Sequence, residues 1–91
     1  MSERDDRLLV DDMLHAAEKI MAYTSGMSYD MFISNDKTVD AVIRNFEIIG
    51  EAANRLSPEY QAMHAQVNWR QMSGMRNRLI DAYFEVDLFS Y

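Results

Sequence analysis

A chain of 91 residues holds one domain with a thin core, and 48% hydrophobic with 26% charged residues is the balance of a folded protein, not a disordered one. The lack of cysteine excludes disulfides and thiolate metal sites, while three glycines and one proline argue against a many-stranded β-protein. A net charge of −6 is the wrong sign for a protein that simply coats nucleic acid, although it leaves room for a local basic site.

In chain order, the first segment is "MSERDDRLLVDD", charged where a secretion signal would be apolar. No window reaches the roughly 18 continuous apolar residues of a membrane span, so a cytoplasmic protein is expected. From Asp5 to Tyr23 the apolar residues Leu9, Met13, Ala16, Ile20 and Tyr23 recur at helical steps. Leu8, Ala17 and Met21 widen that stripe, and Ser25-Gly26 is a stop signal. Ser28 can cap a short helix through Asp30, Met31 and Phe32, and "ISNDK" reads as a turn.

A second long helix is predicted from Asp36 to Leu56, with Val39, Val42, Phe46, Ile49, Ala53 and Leu56 on one stripe. Gly50 inside it costs about 1 kcal/mol against alanine, and a close helix–helix contact would explain it. Ser57-Pro58 suits the N-cap and first position of a short helix through Tyr60 and Met63. Asn68 can cap a last helix from Trp69 to about Phe84, with Gly74 marking a bend or break. The expected architecture is all-α: one domain over residues 1–91, with two long antiparallel helices crossed by shorter ones.

The chemistry-bearing residues crowd "MRNRLIDAYFEVD" near the end. On a helix, Arg76 and Tyr83 share a face, as do Asn77 and Asp81. Arg78 and Asp81 are placed for a weak ion pair, whereas Arg76 and Asp81 lie about 140° apart around the axis. A shared substrate would need the long arginine to reach around, or a site completed by a second chain. Composition alone would make these residues a solvated helix face.

The phrases "AVIRNFEIIGEAANRLSPEY" and "NWRQMSGMRNRLIDAYFEVD", with "RLLVDDMLHAAEKIMAYT" before them, resemble the HepT-like branch of the HEPN ribonuclease toxins. The likeness runs from about Arg7 to Asp87. That family's motif is an arginine, four to six intervening residues, a histidine, and in this branch a tyrosine two beyond the histidine. Arg76, Asn77 and Tyr83 match it, but Asp81 stands at the histidine position. The resemblance implies an all-α HEPN bundle that works as a homodimer and cleaves RNA without metal or other cofactor. Arg76 would bind phosphate, Asn77 would assist, and position 81 would move protons. Aspartate is a weak base at pH 7 and adds negative charge beside a phosphate, so impaired catalysis is expected. The resemblance also implies a small nucleotidyltransferase antitoxin that uses ATP and magnesium to place AMP on Tyr83. Relatives carry a further helix after "VDL", where this sequence reads "FSY", so a missing or altered last helix is expected. The rival expectation is a non-catalytic helical module that only docks a nucleotidyltransferase.

Other groups have blander readings. His15 and His64 lack metal-ligand companions and read as ordinary histidines. Trp69, Tyr60 and Phe46 read as core anchors, and Glu47 with Glu51 as a solvated pair. Arg44, Arg55, Arg70, Arg76 and Arg78 could make a modest basic surface or a scattered solvated set.

Overall fold

The structure is a computed structural model that describes residues 3–74. Every regular element among the described residues is a helix: α1 (Glu3–Thr24), α2 (Tyr29–Ile33), α3 (Asp36–Arg55), α4 (Pro58–Met63) and α5 (Trp69–Ser73). No helix among them is long and apolar enough to cross a membrane.

Local chemistry sets the boundaries. Gly26, at φ 75°, turns the chain after α1 in a conformation other side chains rarely adopt. The side chains of Ser28, Asn35, Ser57 and Asn68 each accept a backbone N–H in the first turn of the helix that follows. Asp36 begins α3 and Arg55 ends it, which suits the helix dipole at both ends. At the C-terminus of α3, Gln61 Nε2 donates to the Ala53 carbonyl at 3.0 Å and approaches that of Leu56 at 3.4 Å.

The two long helices run antiparallel, with Leu9 of α1 packed on Ala52 of α3 and on Leu56 just beyond it. The buried apolar residues are small or few: Leu9, Ala16, Val39, Val42, Ile49, Ala52, Ala53 and Leu56. Val10, Met13, Tyr60 and Trp69 close over one end. The predicted stripe of α3 is thus largely buried, with Phe46 only half-buried. That of α1 is narrower than expected. Leu8, Met21 and Tyr23 are exposed, because the side of α1 turned toward α3 takes in Leu9 and Ala16 but not these positions.

Three polar residues are buried with this core: Asn45, Asp6 and Ser57. Asn45 is buried and satisfies its amide by donating to the Ala41 carbonyl at 2.8 Å. Asp6 ties the start of α1 to the α3–α4 corner: one carboxylate oxygen accepts the Ser57 N–H at 2.9 Å and the other its hydroxyl at 2.6 Å. The Ser57 oxygen in turn accepts the Tyr60 N–H at 3.1 Å. The Ser57 hydroxyl, then its backbone N–H, hold the Asp6 carboxyl below its ordinary 3.8. Ionised Asp6 therefore favours the folded state above about pH 4, and this contribution disappears as pH falls through the depressed value. Asp6→Asn is expected to melt at a lower temperature than the parent at pH 7, with the gap closing toward pH 2. Thermal unfolding across that range checks it, and a gap independent of pH would contradict it.

Candidate active site

Arg76, Asn77, Asp81 and Tyr83, and with them Arg78, lie outside the described residues. What the structure describes is the platform from which the chain enters that stretch. It is α5, closed by Gly74, whose N–H donates to the Arg70 carbonyl at 3.1 Å. Of the helix expected from Trp69 to Phe84, with Gly74 marking a bend or break, the described residues hold α5, which ends at Ser73 with Gly74 as its C-cap; the rest of that span lies outside them.

Three features fix α5. Asn68 Oδ1 accepts the Gln71 N–H at 3.0 Å, which starts the helix. Trp69 Nε1 donates to the carbonyls of Gln61 and His64, both at 3.1 Å, and so caps the end of α4. The third is Gly50. A Cβ at this position would lie 3.1 Å from the Met72 carbonyl oxygen and 3.2 Å from that of Ser73. The backbone at the end of α5 therefore rests in the notch left by the missing side chain. Gly50 is the close helix–helix contact anticipated from the sequence, and its partners, Met72 and Ser73, lie four and three residues before Arg76.

The remaining candidates are placed as follows. His15 is exposed on α1 and lines a hollow with Asp12 and Lys19 of the same helix and Asn45 and Ile48 of α3, with Nδ1 3.0 Å from the Asp11 carbonyl oxygen. His64 follows α4 and packs its ring on Tyr60, with centroids 4.5 Å apart. Tyr60 meets Trp69 edge-on at 6.2 Å, so Tyr60 and Trp69 serve as half-buried anchors of the α4–α5 corner. Arg44, Arg55 and Arg70 are exposed. Glu51 is exposed one turn from Glu47 on α3, and no group of acids or histidines among the described residues could hold a metal ion.

A model of the ribonuclease HepT-like family matches residues 13–90, a range that takes in α3, the Gly50 notch, α5 and every position of the expected motif. The chain belongs to the ribonuclease HepT-like family. Among similar proteins, "Probable ribonuclease HepT" of Thermococcus cleftensis is 37% identical over 94% of this chain and 78% of its own length. "Putative RNase MJ1380" of Methanocaldococcus jannaschii is 38% identical over 96% of this chain and 80% of its own. No solved structure matches. For a HepT-like chain, the platform that leads into the motif is well defined: α3 supplies the notch, and Trp69 and Asn68 hold the helix seated in it.

Proposed function

We propose that this chain is the toxin-type member of a ribonuclease and nucleotidyltransferase pair, with its acid–base position disabled by Asp81. The observation that carries this reading is the family match across residues 13–90, with Arg76, Asn77 and Tyr83 in the motif and a carboxylate where the family has histidine.

The reaction is transfer of an RNA phosphate from its 5′-oxygen to the neighbouring 2′-oxygen. A base takes the 2′-hydroxyl proton, the 2′-oxygen bonds to phosphorus, and an acid protonates the departing 5′-oxygen. Arg76 neutralises the charge that grows on the phosphoryl oxygens, and Asn77 orients one of them. Position 81 should shuttle the proton, and imidazole does this near neutral pH. Aspartate there stays ionised, accepts a proton weakly and repels the phosphate. Two copies complete the cleft between them. AMP on Tyr83 would add bulk and negative charge beside Arg76 and block the phosphate site, which is how a nucleotidyltransferase partner would silence an active form.

Asp81 also supports a second reading, a module that docks the nucleotidyltransferase and does no chemistry. Cell growth separates the two. Expression of the Asp81→His variant is expected to arrest growth, and Arg76→Ala in the same chain to restore it. Growth unaffected by Asp81→His would favour the docking module. Incubation with the partner, ATP and magnesium is expected to add one AMP to the intact mass, and to add none after Tyr83→Phe.

A further inference from the structure

The first turns of α1 and the outer side of α4 enclose an open cleft of about 620 Å³ whose chemistry the ribonuclease reading does not use. Its back wall is the Asp6–Ser57 hydrogen-bond pair, which fixes the two helices to each other. Its apolar lining is Val10 and Tyr60, both half-buried, and Met63, which is 77% exposed. Its rim carries the exposed carboxylates Asp11 and Glu59, against one cation, Arg7.

We propose that this cleft docks an arginine-bearing amphipathic helix of a protein partner. An arginine has an apolar stem that suits Val10 and Met63, and a planar guanidinium that suits both a carboxylate and the ring of Tyr60. Counting Asp6, the lining charge is three acids against one base, so it attracts a cationic segment and repels a polyphosphate. That balance separates this surface from an RNA track, which would need the opposite sign. Met63 is the kind of adaptable side chain that moulds to a partner helix, and it lies beside the half-buried Val10 and Tyr60 with carboxylates around them. Arginine is preferred over lysine because the ammonium lacks the flat face and the fork.

The test uses the full 91-residue chain and three synthetic amphipathic helices that share a leucine face and carry arginine, lysine or glutamate pairs at i, i+4. Calorimetry gives affinity, and amide chemical shifts give location. The arginine peptide is expected to bind, to move the amides of Val10, Tyr60 and Met63, and to bind about tenfold more tightly than the lysine peptide. The double variant Asp11→Asn/Glu59→Gln is expected to weaken it at least about tenfold, and Met63→Gln to weaken it independently. Asp40→Asn/Glu18→Gln, two exposed acids elsewhere, is expected to leave affinity unchanged. All three replaced positions of the cleft are exposed, so melting temperatures near the parent's show that binding, not folding, was altered. Equal affinity of the parent and the Asp11/Glu59 double variant overturns the proposal. So does a glutamate peptide binding as well as the arginine one, or a 2′-O-methyl RNA that moves the Val10, Tyr60 and Met63 amides when the arginine peptide does not. None of these outcomes bears on Asp81 or on RNA cleavage.

Discussion

Asp81→His is expected to raise RNA cleavage about 10²- to 10⁴-fold over the parent chain, the range that one well-placed general acid–base group contributes. Two effects add in the same direction. The imidazole, with an unperturbed value near 6.5, is present in both protonation states around neutrality, whereas a carboxyl near 3.9 is almost wholly ionised. The substitution also removes a negative charge from beside the scissile phosphate. The variant's rate should peak near neutral pH and fall on both sides as one or other protonation state is lost. Adding Arg76→Ala should then cost about 10²- to 10³-fold, the loss expected when a donor to the developing phosphoryl charge is removed. Initial rates on a fluorogenic RNA between pH 5 and 9 give all of these numbers. A parent chain as active as the variant, both well above background, would mean that Asp81 is itself competent.

Gly50→Val is the substitution with the largest expected effect on the scaffold. Valine gains only a few tenths of a kcal/mol in helix propensity over glycine. Against that, its Cβ would sit 3.1 and 3.2 Å from two backbone carbonyl oxygens that no rotamer change can move. Its two γ-carbons add further volume. Overpacking of this kind costs about 1–3 kcal/mol, so the loss wins. A melting temperature lower by about 5–15 °C is expected for a domain of this size. Gly50→Ala sets a smaller steric loss against a propensity gain of about 1 kcal/mol and should lie much closer to the parent. Because α5 leads straight into the motif, Gly50→Ala in an Asp81→His chain should lower cleavage about tenfold more than its stability explains, with the fall in kcat. If Gly50→Val melts with the parent, α5 does not rest against α3 as described.

How far these features can be read from the sequence depends on how locally they are encoded. Ser28, Ser57-Pro58, Asn68 and Gly26 each act on neighbours within four residues, so their roles were readable from their types and positions. The stripe of α3 was readable for the same reason. The Asp6–Ser57 latch was not, because its partners are 51 residues apart and an aspartate near a helix start already has a sufficient local explanation. Asn45 gave no signal either, since an amide next to an arginine on α3 looks like part of the solvated side. Gly50 announced a close contact but not its partner, which depends on how the α3–α4–α5 corners fold back. Tyr23 and Met21 followed the helical period of α1 yet are exposed, because periodicity shows which residues share a side and not how far the packed region extends. The expected motif rests on family likeness alone and lies outside the described residues; composition alone would have made Arg76, Asn77 and Asp81 a solvated face.

The central claim is that a HepT-like site is present and that Asp81 disables it. It is tested most directly by treating a matched pair of substrates, one all-RNA and one carrying a single 2′-deoxy nucleotide at the cleaved position, with the parent and Asp81→His chains in the presence of a metal chelator. The expected result is cleavage by Asp81→His of the all-RNA strand alone, leaving a 5′-hydroxyl end, with the parent near background on both. Cleavage of the 2′-deoxy strand at the same bond, loss of activity with the chelator, or equal cleavage by both chains would contradict it.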